Sequence, residues 1–158
     1  MKKILICSLL FLSSNLLSAE MMTPLSSYIK KNPKFQTDPV AAIFLTSRCS
    51  AVFSKVAIRL NSDNRPEKQQ QGKEFEDYST IYDGASMFLH KKIGMSQKVF
   101  LARYKIHLDQ YDKQMMQNYN LDGEMFGGWV GEDLNICSAN YTYFLEFVKS
   151  QHSKENKV

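Results

Sequence analysis

The chain has 158 residues, with 20 basic and 16 acidic side chains, a formal net charge of +4 and three cysteines. That length favours one domain with a core of its own. The near-neutral balance, with only Lys30, Lys31 and Lys34 close together, excludes a nucleic-acid surface built on clustered positive charge.

Residues 1–19 have the order of a secretory signal peptide. Lys2 and Lys3 precede an apolar stretch from Ile4 to Leu12, the run breaks at Ser13-Ser14-Asn15, and the small residue Ala19 stands before Glu20. Cleavage is expected between Ala19 and Glu20. The 14 residues from Ile4 to Leu17 fall short of the roughly 20 apolar residues of a spanning helix, and no later segment is expected to reach that length. Removing the signal takes away Cys7, Lys2 and Lys3 and leaves 18 basic against 16 acidic residues, a net charge of +2. The expected location is outside the cytoplasm of a bacterium, periplasmic or secreted, with no stable membrane insertion after cleavage.

Residues 20–38 are read as an N-terminal segment with one short helix. It starts at Thr23-Pro24, with threonine as cap and proline in the first turn, and ends near Lys31 before Asn32-Pro33. Residues 39–150 are read as the helical domain. Asp38-Pro39 repeats the cap-then-proline start, and Leu45, Cys49, Val52, Val56 and Leu60 then recur at helical spacing. Phe44 and Phe53 widen that stripe, and Ser47, Ser54, Lys55 and Arg59 are expected on the other side. The polar stretch from Asn61 to Lys73 is the expected linker. A third helix follows Pro66 or Gly72, with the stripe Phe75, Tyr78, Tyr82, Ala85 and Leu89 and a stop at Gly94.

A fourth helix is expected from a cap at Ser96 to near Asn120, with Leu101, Tyr104, Leu108, Tyr111 and Met115 on its buried face. The last begins after Gly131 and places Leu134, Cys137, Tyr141, Phe144 and Val148 on one stripe. Residues 151–158 lack periodicity and are read as a fraying tail. The fold class is therefore all-α, a compact antiparallel bundle of four main helices plus a short N-terminal one. Cys49 and Cys137 each lie on an apolar stripe, and an exported chain with two cysteines has one possible pairing. A disulfide joining the second and last helices is expected.

Motifs for chemistry are scarce. His90, His107 and His152 lack the spacing of a metal site, and each is read as structural or solvated. No metal or cofactor is expected. Gly127-Gly128-Trp129-Val130-Gly131 lacks the Lys-Ser/Thr of a phosphate loop. No serine sits in a Gly-x-Ser-x-Gly elbow. Carboxylate pairs for a hydrolase of an envelope polymer are Glu74 with Asp77 and Glu132 with Asp133; the latter two also suit the first turn of a helix, where negative charge is favourable.

The segment from Asp122 to Asp133 carries the only tryptophan among glycines. Phe126 and Trp129 are the binding candidates there, since exposed aromatics anchor interfaces; the alternative is that they cap the bundle end. The leading expectation is a non-enzymatic module that binds another envelope or secreted protein. The alternatives are the hydrolase and a small-ligand carrier with an aromatic pocket between helices.

Overall fold

The structure, a computed structural model, describes residues 22–155. The expected signal peptide and residues 156–158 lie outside them. Five helices follow one another: α1 (Leu25–Lys31), α2 (Pro39–Asn61), α3 (Pro66–Lys92), α4 (Gln97–Asp122) and α5 (Gly128–Glu155). No strand occurs among the described residues. Successive long helices are joined by short turns and run antiparallel. α2 lies at the centre, packed on α3, α4 and α5, while α1 lies against α5.

The start of α2 follows from its sequence. The Asp38 carboxylate accepts from the Val40 and Ala41 amides at 2.9 and 3.3 Å, and Pro39 occupies the first turn, where no amide is needed. The other expected caps differ. Pro24 is the cap position of α1, without a side-chain bond, and Ser96 makes none at α4. Two helices close on left-handed glycines, which tolerate a positive φ: Gly94 (φ 72°) after α3 and Gly123 (φ 79°) after α4.

The expected linker from Asn61 to Lys73 is mostly helix. Pro66 starts α3, and Gly72 lies buried within it against Asn61 of α2. Glu67 in the first turn also suits the positive end of the helix. At the other end of the chain, α5 begins at Gly128, ahead of the expected start after Gly131, and runs to Glu155 through much of the expected tail.

α2 also departs from its expected two-sided pattern. Ser47, expected on the outer side, is buried, as is every residue from Leu45 to Phe53. The polar side of the helix faces α3 and α4 rather than water. Ser47 meets Ser86 (3.0 Å), Ser50 meets Ser79 (3.1 Å) and donates to Asp83 (2.6 Å), and Ser54 meets Ser79 and the Tyr104 hydroxyl (both 2.7 Å). Short side chains bring the helices close, and paired hydroxyls remove the cost of burying them. Contrary to expectation, the 23-residue α2 is long and apolar enough to cross a membrane by length and composition, with a mean hydropathy of 1.4 over an 18-residue stretch; most of that stretch is covered by the bundle.

The disulfide expectation holds. Cys49 and Cys137 are joined, with Cα atoms 5.4 Å apart, and the bond closes an 88-residue separation between α2 and α5. Around it, Leu45, Val52, Phe53, Tyr82, Tyr111, Met115 and Phe144 form one continuous core. On α4 the stripe is displaced by one residue at its start. Phe100 is buried and Leu101 is 52% exposed, because Phe100 is four residues before Tyr104 and faces His90 of α3.

Candidate functional site

The least expected side chain in the core is a charged one. Arg48 lies in the middle of α2 with no exposed surface, and so does its partner Asp133 on α5. The guanidinium donates to the Asp133 carboxylate, to the Thr23 carbonyl (2.5 Å) and, through Nε, to the Tyr111 hydroxyl (3.3 Å). Tyr111 in turn donates to Asp133 (2.5 Å), and the Leu25 amide donates to the second carboxylate oxygen (2.7 Å). Phe44, Tyr111 and Trp129 surround the cation, their ring centres 5.6, 5.6 and 5.9 Å from its central carbon.

Burial raises the Tyr111 hydroxyl far above its ordinary value, so it stays protonated and able to donate. The network is closed: each charged group has its partners, and none of the three side chains reaches water. It fastens the residues before α1 to α2, α4 and α5. Sequence reasoning assigned Asp133 to an exposed first turn beside Glu132. Asp133 instead lies four residues before Cys137, on the same inward face of α5, and is buried with it. Both oxygens of Asp133 are occupied, which leaves no carboxylate pair there for hydrolysis. Glu74 and Asp77 stand exposed on α3.

Phe126 and Trp129 are half-buried and pack on the core. Trp129 lies with its ring centre 5.5 Å from that of Tyr111, so it covers the arginine network. Phe126 borders a shallow groove with Tyr119, Met125 and Leu60.

A second site lies at the other end of the bundle. The last turns of α3, the first turn of α4 and the end of α5 enclose a cleft of about 490 Å³, bordered by Gly84, Met87, Phe88, His90, Met95, Phe100 and His152 among others. Gly94 makes the turn that carries the chain back, and the Met95 amide donates to the His90 carbonyl (2.9 Å), which keeps Met95 beside the helix end. Phe88 meets His152 edge-on at 5.2 Å, and Phe100 meets His90 edge-on at the same distance.

His90, Lys91, Gln97 and His152 are the polar residues that border the cleft, and His90 is the most buried of them. It is only 3% exposed, and its Nδ1 lies 2.8 Å from the Ser86 carbonyl, one turn back on α3. Its Nε2 is buried without a hydrogen-bond partner. The sequence placed His90 near a helix end, where a charged ring would suit the dipole, but the fold draws the ring inward. The signal available in the sequence was its spacing from Ser86 and Leu89, which puts it at the edge of the buried face.

His107 on α4 is similar: 8% exposed, packed on Phe44, with Nδ1 unpartnered. Burial, reinforced by the charge of Arg48, lowers its pKa from 6.5 to about 4. Among the described residues no three His, Cys, Asp or Glu side chains gather in a way that could hold a metal ion.

No protein-family model, no curated protein and no solved structure matches the chain.

Proposed function

We propose that the protein is an exported, non-catalytic binding protein that carries a small, largely apolar ligand in the cleft between α3, α4 and α5. The observation that carries this reading is the cleft itself: mostly apolar in its walls, of a size suited to a small molecule, with His90, Lys91, Gln97 and His152 as its polar residues. Export is supported by the charge, apolar run and small residue of the first 19 residues, together with a disulfide of the kind that persists in oxidising compartments.

Native mass spectrometry of the protein taken gently from the exported fraction of its host tests both parts. The expected species is an oxidised chain beginning at Glu20 with a small-molecule adduct, and the adduct is expected to be lost from Met87→Arg, a substitution at the half-exposed rim. An uncleaved or reduced chain would overturn export. A bare oxidised chain from every gentle preparation would overturn the carrier.

A second reading, capture of another exported protein, has its own observation. Leu121 is 84% exposed and Tyr119 54% exposed at the end of α4, next to the groove bordered by Phe126. Such a surface differs from the one first expected, because Trp129 now serves the core. A stoichiometric protein companion in the same spectrum would favour this reading.

A further inference from the structure

We infer that the groove between α1, α2 and α4 binds a free medium-chain alkyl carboxylate, with its tail between Val40 and Ile106 and its head on Arg103. The inference concerns a different cavity from the carrier reading and does not rest on it. The groove encloses about 350 Å³, a volume suited to a small ligand. Tyr28, Ile43 and Phe44 line it, and the Tyr28 and Phe44 rings are stacked with centres 4.1 Å apart. Val40 of α2 and Ile106 of α4 border it while 57% and 54% exposed. Apolar surface left in water on two helices of one groove is removed from water by an apolar chain laid between them. The wall residues of α2, from Val40 to Ser47, span about 10 Å of helix, which suits a medium chain rather than a full lipid tail.

Arg103 decides the head. Of the residues that border the groove, it alone carries a full charge at neutral pH. It is exposed, and among the described residues no carboxylate pairs with it. Its planar guanidinium can take both oxygens of a carboxylate side by side. The other polar wall residues offer no competing charge: the Ser47 hydroxyl meets Ser86 at 3.0 Å, and His107 is neutral. Burial, then the charge of Arg48 and more weakly that of Arg103, lower the His107 pKa to about 4, so a positive potential reaches this wall. Asp38, which adds to burial in raising the Tyr28 hydroxyl, does not line the groove, and its carboxylate accepts from the Val40 and Ala41 amides. Water alone satisfies an exposed arginine; its place beside two exposed apolar side chains is what fits an anion with an apolar tail.

The test compares octanoate, 1-octanol and octylamine by titration calorimetry at low salt on the oxidised mature chain, each ligand kept below the concentration at which it aggregates. Octanoate is expected to bind about fivefold more tightly than 1-octanol, the ratio that corresponds to an exposed charge pair at the upper end of its range. Octylamine is expected to bind more weakly than either. In Arg103→Gln, which removes an exposed and unpaired charge without touching the core, octanoate and 1-octanol are expected to bind alike. In Ile106→Glu both are expected to weaken. The methyl resonances of Val40 and Ile106 are expected to shift with octanoate in the native chain and equally in Met87→Arg, which obstructs only the α3–α5 cleft.

Equal binding of octanoate and 1-octanol to the native chain would overturn the anionic head. A preference for octanoate that persists in Arg103→Gln would overturn the role of Arg103. Loss of octanoate binding in Met87→Arg would put the ligand in the other cleft and overturn the site. Binding to vesicles of phosphatidylglycerol without binding of free octanoate would point to a membrane surface and overturn the free ligand. Failure of octanoate to bind would overturn the inference as a whole, whereas the carrier reading stands or falls on the adduct in the native spectrum.

Discussion

Arg48 directs its donors to Thr23, Tyr111 and Asp133, and Asp133 accepts from Arg48, Tyr111 and Leu25. Removing one charge of such a pair leaves the other buried and uncompensated. Arg48→Met is expected to cost about 3–5 kcal/mol in urea unfolding at neutral pH, and the double variant Arg48→Met/Asp133→Leu is expected to recover part of that loss. A double variant as unstable as the single one would show that the network contributes through shape rather than charge.

His107 gives the pH counterpart. Its folded pKa lies below its unfolded value, so the unfolded chain binds the extra proton first. The contribution of its neutral ring is fully present above pH 6.5 and is lost progressively toward pH 4, to a limit of about 3 kcal/mol. Asp83 acts in the opposite sense, since burial raises its carboxyl pKa and its contribution is lost as pH rises. The difference between unfolding curves of the native chain and His107→Gln, followed from pH 7 to pH 4, isolates the histidine and is expected to shrink on acidification.

None of this polar core was assigned from the sequence, although part of it was legible. Arg48 precedes Cys49, and Asp133 lies one helical turn before Cys137. Once the cysteines are paired, the two charges are brought to neighbouring positions. What hides them is that Asp133, next to Glu132 near a helix start, reads as a solvated first-turn acid although it shares the face of Cys137.

At the scale of elements, periodicity found all five helices, because each long helix has a continuous apolar stripe. It failed where burial is polar. Ser47, Ser50 and Ser54 resemble a wet face in sequence, but here they meet Ser79, Ser86, Asp83 and Tyr104 across the seams to α3 and α4. Hydrophobicity alone cannot distinguish a hydroxyl paired with another hydroxyl from one paired with water. The same limit explains the linker: Gln69-Gln70-Gln71 carries no stripe, yet Pro66 starts a helix that continues through it. The disulfide was legible because cysteine position and helical spacing pointed to the same pair. Closing 88 residues constrains the unfolded chain strongly. Cys49→Ala/Cys137→Ala is expected to lose about 4 kcal/mol in denaturant titration, with helix content by circular dichroism largely retained at low denaturant. A loss below about 1 kcal/mol would show that the rest of the α2–α5 contact suffices.

Over the whole molecule, the cleft at Phe100 and the apolar corner at Leu121 lie near opposite ends of α4. The 21 residues between them span about 30 Å of helix. Sites so far apart with no shared partners behave independently. Leu121→Asp is therefore expected to abolish any protein companion found by native mass spectrometry and to leave a ligand in the cleft bound as before. A change in cleft affinity in that variant would mean that the two ends are coupled.

The 85-residue separation between Arg48 and Asp133 also governs the order in which the chain can finish folding. A polypeptide appearing from its N-terminus at about 5–20 residues per second leaves Arg48 without its counter-ion for roughly 4–17 s. Cys49 waits slightly longer for Cys137. Through that interval, the most apolar of the long helices carries an unneutralised cation near its midpoint, which disfavours early burial. The bundle thus closes late, on the arrival of its last helix, and until then the nascent chain stays loose enough to be threaded.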